Sequence, residues 1–127
     1  MGIQYLTINT FHPAYNDIYT TAFMKMQANP EQRYNVIVVD SPGGYCWSLS
    51  VLLDLIQDSP KDTITIASGI VASCGACLAT AGTPGLRVIG NNTKMLIHEA
   101  SGMAWGKTSD IVAEAKNIQQ TTNELVI

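Results

Sequence analysis

Charge is scarce in this chain. Its 127 residues hold 7 Lys and Arg against 10 Asp and Glu, a charged fraction of 13% and a formal net charge of −3, where ~25% charged is usual. So few cations cannot neutralise a phosphate backbone, which excludes nucleic acid as a partner. No apolar run approaches the ~18–20 residues of a membrane span, and the N-terminus lacks the basic patch and apolar stretch of a secretory signal. The chain therefore reads as soluble, cytoplasmic and free of the membrane. Cysteine is limited to Cys46, Cys74 and Cys77, which cannot all pair. The Cys74-x-x-Cys77 spacing fits a redox pair or half a zinc site. No second such pair and no histidine cluster completes a metal site, so the thiols read as small apolar residues of a buried segment. Neither G-x-x-x-x-G-K-[ST] nor G-x-G-x-x-G occurs, so no phosphate-bearing cofactor is indicated. The expectation is no metal and no cofactor.

What remains is a globular composition, 46% hydrophobic, in a length that suits one domain, residues 1–127, and buries about two-thirds of its unfolded surface. The low charge also suggests a surface partly covered by copies of the same chain. Strand and helix signals alternate. Tyr5 to Ile8 reads as a strand, and Phe11-His12-Pro13 opens a helix with Ile18, Ala22 and Met26 at helical spacing until Asn29-Pro30. Val36 to Val39 is a β-branched run of the kind covered on both faces. After Asp40-Ser41-Pro42-Gly43-Gly44 comes a second helix with Leu49, Leu52, Leu53 and Ile56 on one face. Thr63 to Ala67 is the next strand, ending at Ser68-Gly69, and Ala72 to Ala81 a helix of small residues. Arg87 to Ile89 and Lys94 to His98 are short strands around an Asn91-Asn92 turn. A long helix starts near Thr108, with Ile111, Ala115, Ile118, Thr122 and Leu125 as a seam. Ile127 falls on that stripe, as in a fragment, and the uncovered stripe predicts self-association at least to a dimer. The pattern is α/β with mostly parallel strands joined by crossovers.

Three places can hold chemistry. Ser41-Pro42-Gly43-Gly44 follows a buried strand, where glycines permit positive φ and close backbone approach, so an N–H can meet an anion or a carbonyl oxygen; it can also be a tight turn and nothing more. Ser73, among small neighbours at a strand-to-helix junction, either exposes its hydroxyl beside the free N–H groups of a helix start or caps that helix. His98 ends an apolar strand, as a structural residue or as a general base near neutral pH. His12 reads as a surface residue.

The order and spacing of Ser41-Pro42-Gly43-Gly44, Ala72-Ser73-Cys74-Gly75 and Ile97-His98 resemble the Clp peptidase family. The likeness runs from about Ile8 to the last residue and includes Gly82-x-x-Gly85-x-Arg87 and Gly106-x-x-x-Asp110-Ile111. It implies a ClpP/crotonase-type spiral of strand-strand-helix units, incomplete at the C-terminus within the long handle helix. It further implies a serine endopeptidase acting on unfolded polypeptides through an acyl-enzyme. By position, Ser73 is the nucleophile and His98 the general base. The backbone N–H groups of Gly44 and Cys74 form the oxyanion hole, and Gly43 and Gly44 bind substrate backbone by strand addition. The family commonly has Asn at position 40 and Met at position 74; Cys74 keeps its backbone donor, and Asp40 should matter less. Such departures fit a phage-borne or environmental relative. The family's third triad member, an Asp, lies beyond the last residue. None of Asp17, Asp40, Asp54, Asp58, Asp62 or Asp110 occupies its place. Loss of that group costs about 10⁴ in rate in serine proteases, so weak or absent turnover is expected. Family members form stacked rings fed by a ring-shaped ATPase, and phage relatives process capsid proteins. The alternatives are an inactive ring subunit and, against the Ser73–His98 pairing, a crotonase-type acyl-CoA enzyme. Signal peptide peptidases, with a Ser–Lys pair, fit the histidine-ended strand less well.

Overall fold

The apolar and β-branched runs of the first 97 residues form a parallel sheet in the computed structural model, which describes residues 2–97. Five strands, β1 (Leu6–Ile8), β2 (Asn35–Ser41), β3 (Thr63–Ala72), β4 (Arg87–Ile89) and β5 (Lys94–Leu96), alternate with α1 (Asn16–Gln27), α2 (Cys46–Asp58) and α3 (Cys74–Ala79). The strand order is β1-β2-β3-β4, with β5 also on β3. Every pairing is parallel, as strands separated by crossover connections must be. This is the expected α/β class. The described residues belong to one compact unit, Met1–Ile97. His98 and the expected helix from Thr108, with its seam, lie outside them. Among the described residues no helix is long and apolar enough to cross a membrane.

β2 alternates strictly: Asn35, Ile37, Val39 and Ser41 are buried, while Val36, Val38 and Asp40 are half-buried. The run Val36–Val39 is thus fully covered on one face among the described residues, where the sequence pattern anticipates two. Phe23 and Met26 of α1, Leu49 and Leu52 of α2, and Ala76 and Leu78 of α3 are buried with that face as parts of the core. Each large side chain so buried contributes roughly 1.5–3 kcal/mol.

α1 buries Tyr19, Phe23 and Met26, and leaves Ile18 exposed, so the Ile18-Ala22-Met26 stripe is not the packing face. The chain enters α1 through a single 3-10 turn, Pro13–Tyr15, capped by His12 Nδ1, which accepts from Ala14 N–H at 3.0 Å. That tighter turn resets the helical phase, and the Tyr19 hydroxyl fixes the result by donating to the Thr10 carbonyl at 3.1 Å. Beyond the far end of α1, Lys61 Nζ donates to the carbonyls of Met26, Asn29 and Gln32 at 3.2, 2.6 and 2.7 Å. One cation so satisfies helix-end carbonyls and ties that loop to the start of β3.

β3 also departs from expectation. It does not stop at Ser68-Gly69 but bends there, with Gly69 at φ +68°, and continues to Ala72. Its first stretch, Thr65–Ala67, pairs with β4, and its second, Ile70–Ala72, pairs with β5. α3 is correspondingly shorter than Ala72–Ala81, because Ala72 is the last residue of the strand.

Candidate active site

The ends of β2 and β3 bring the first two sequence-selected segments together. Past β2, Ser41 Oγ accepts the Gly43 N–H at 3.1 Å, closing a tight turn. Gly43 and Gly44 take φ +122° and +149°, a region closed to most side chains. A methyl group on Gly44 would stand 2.2 Å from the Phe11 carbonyl oxygen. That carbonyl accepts from Tyr45 N–H at 2.8 Å, so Phe11 braces the turn from β1's side. A methyl on Gly43 would stand 3.0 Å from Ser73 Cβ and 3.5 Å from Ser73 Oγ. Glycine at 43 is therefore what lets the turn lie against the serine.

Ser73 sits between β3 and α3 at φ +55°, ψ −119°, the only non-glycine residue with positive φ among the described ones. Such a conformation costs on the order of 1–3 kcal/mol and persists where surrounding contacts hold it. Its N–H donates to the Leu96 carbonyl of β5 at 3.0 Å, and its carbonyl accepts from Cys77 N–H at 3.1 Å. Its side chain makes no capping hydrogen bond to α3, so the hydroxyl is not engaged in the bland role open to it from sequence. Neither Gly44 N–H nor Cys74 N–H has a backbone partner among the described residues. His98 lies outside those residues; Leu96, two positions before it, is where β5 grips Ser73.

Cys74 is fully buried, its thiol donating to the Gly44 carbonyl at 3.6 Å with Cys46 Sγ at 3.9 Å. Burial, then the neighbouring Cys46, pushes the Cys74 thiol up to about 12 from 9.0. The close thiol neighbour is thus Cys46, not the Cys77 of the C-x-x-C spacing, and all three cysteines are free. Among the described residues no cluster of three or more His, Cys, Asp or Glu could hold a metal ion.

Two features escaped the sequence reading. Tyr45 and Trp47 stack in the open beside Gly44, centroids 5.5 Å apart and 9° between planes, with His12 edge-on to Tyr45 at 5.2 Å. Asp40, set aside as minor, places Oδ1 3.1 Å from Ile70 N, within the bend of β3. The signal for that bend is a glycine inside an otherwise continuous strand pattern.

A glycine turn held against a strained serine at the carboxyl ends of parallel strands defines a class of α/β protein with an elbow-type site. The particular family follows from comparison with known proteins. The family model for Clp protease matches residues 7–127, and this chain belongs to the Clp protease family. It is 34% identical over 116 residues to ATP-dependent Clp protease proteolytic subunit 3 of Frankia casuarinae, covering 91% of this chain and 54% of that protein. Subunit 1 of Streptomyces coelicolor is 33% identical over 105 residues, 83% of this chain and 48% of the relative. Subunit 1 of Leifsonia xyli subsp. xyli is 36% identical over 93 residues, 73% and 47% respectively. The chain spans about half the length of these curated relatives.

Proposed function

We propose that the chain is a serine-type endopeptidase of the Clp kind, cleaving peptide bonds in unfolded polypeptides through an acyl-enzyme. Ser73 Oγ attacks the substrate carbonyl while His98 takes its proton. The N–H groups of Gly44 and Cys74 hold the developing oxyanion, and His98 returns the proton to the leaving amine. Gly43 and Gly44 bind the substrate as an added strand. The observation that carries this reading is the Ser73 elbow. A strained, uncapped serine packs against a glycine turn, with two backbone donors free of partners among the described residues. The backbone of Cys74 supplies its donor whatever the side chain, and the buried thiol stays protonated at neutral pH.

None of Asp17, Asp40, Asp54, Asp58, Asp62 or Asp110 is given the third triad role in this reading. Ring assembly in the cytoplasm, with a ring-shaped ATPase or a phage capsid protein as partner, belongs to the same reading. An inactive ring subunit is the competing one. Intact mass after fluorophosphonate treatment, with Ser73→Ala alongside, decides between them. One adduct that vanishes in the variant is expected. No adduct, or an adduct retained by Ser73→Ala, refutes an activated Ser73.

A further inference from the structure

Strand register is what brings Ser73 opposite Gly43. β2 and β3 run in step from Asn35↔Thr63 to Val39↔Ala67, but the next pair is Ser41↔Val71. Asp40 alone therefore faces three residues, Ser68, Gly69 and Ile70. Had the first register continued, Gly43 would lie opposite Val71, and Ser73 would face Tyr45. The bulge slips β3 by two residues, which keeps every side chain on its face. Two positions beyond the Ser41↔Val71 pair, Gly43 then meets Ser73, as their close approach shows.

Asp40 fills the gap that the slip creates. Oδ1 accepts from Ile70 N–H at 3.1 Å, an exposed donor that the interrupted ladder leaves without a strand partner on β2. Gly69 arches over the same carboxylate, at φ +68° and so near that a methyl group would stand 2.5 Å from Oδ1. The main chain of Asp40 is held in turn, its carbonyl accepting from Asn9 Nδ2 at 3.2 Å. Beyond the bulge β3 leaves β4 for β5, and this second stretch ends in Ser73, whose N–H is bonded to Leu96.

We propose that Asp40 is a positioning residue: its carboxylate holds the three-residue bulge of β3 and so sets the register that places the Ser73 elbow against the Gly43 turn. The catalytic consequence rests on the function proposed above; the positioning does not. What the bulge needs is an acceptor oxygen, so an amide should serve where a methyl cannot.

The test compares Asp40→Ala and Asp40→Asn with the parent by amide hydrogen exchange and by the rate of fluorophosphonate labelling. Loss of one backbone-anchoring hydrogen bond corresponds to about tenfold in a local equilibrium. Asp40→Ala should speed exchange at both Ile70 and Ser73 by about tenfold, leave Ile37 and Val38 unchanged, and slow labelling of Ser73 to a similar degree. Asp40→Asn should restore all three readouts to within about twofold, on the same reasoning. Faster exchange confined to Ile70, or an Asp40→Asn protein as impaired as Asp40→Ala, overturns the proposal. If Asp40→Ala does not fold, Gly69→Ala displaces the same carboxylate from the other side. It must then accelerate exchange at Ser73, and parent-like exchange there is equally fatal. A parent chain that takes no label refutes the proposed function, while the exchange comparison still decides the role of Asp40.

Discussion

Adding one methyl group at Gly43 should harm both the fold and the site. Two effects act there. The residue sits at φ +122°, which costs an L-residue about 1–3 kcal/mol. The new Cβ would lie 3.0 Å from Ser73 Cβ and 3.2 Å from the Ala72 carbonyl oxygen. Neither neighbour is the free end of a flexible side chain, so the turn or the elbow must move, at about 1–3 kcal/mol for an overpacked site. Together Gly43→Ala should lose roughly 2–6 kcal/mol, a Tm drop of roughly 8–24 °C for a domain of this size. Displacement of reacting groups by 1 Å costs about 10² in rate, so a shift of a few tenths of an ångström at Ser73 should slow labelling roughly three- to tenfold.

Gly85 supplies the control. It too has positive φ, +88°, but a methyl there meets nothing within 4 Å. Gly85→Ala should therefore show the conformational cost alone, with labelling unchanged. Thermal unfolding by circular dichroism and labelling rates at 15 °C, where all three proteins are folded, separate the two contributions. Equal Tm losses in the two variants would show that the Gly43–Ser73 contact carries no packing cost. Parent-rate labelling of Gly43→Ala would show that the turn does not position the serine. Either result refutes the argument from close approach.

Three further outcomes test other parts of the fold. Lys61→Met removes the cation that serves the carbonyls of Met26, Asn29 and Gln32, and should cost about 1–3 kcal/mol in urea unfolding; Lys61→Arg should recover little of it, since a planar fork cannot converge on three acceptors as an ammonium does. Ser48 is buried with an unpartnered hydroxyl among the described residues, so Ser48→Ala should be neutral or stabilising by about 1 kcal/mol; a loss of that size would reveal a partner. Cys74, pushed up to about 12 from 9.0 by burial, keeps its proton in the folded chain while the unfolded chain begins to release it near pH 9. Its stabilising contribution is therefore complete below pH 9 and is lost as pH rises toward 12. Between pH 9 and 10 the parent should lose roughly 1 kcal/mol more stability than Cys74→Ala, and parallel urea midpoints for the two proteins would contradict this.

Much of the fold is legible in the sequence because its signals are local. β-branched runs bounded by Pro and Gly gave the strands, and their separation by helical patterns required parallel pairing. The glycine turn and the serine junction were likewise visible, since positive φ and small neighbours leave a compositional mark. The phase of α1 was not. Ile18 and Tyr19 are both apolar enough to face a core, and the choice was made by the 3-10 turn before the helix and by the Tyr19 bond to Thr10, a contact with no periodicity of its own.

The bend in β3 shows a different limit. Ser68-Gly69 reads as a strand end because glycine and serine commonly close strands, and a bulge uses the same residues for the same conformational reason. What distinguishes the two is whether the chain beyond finds a partner, here β5, together with a side chain on the neighbouring strand that occupies the gap, here Asp40. Both are non-local facts. The distinction matters for chemistry, because a strand that ended at Gly69 would deliver no Ser73 to Gly43. In this fold the register of two central strands, and not only the identity of the serine, determines whether an elbow and a glycine turn become one site.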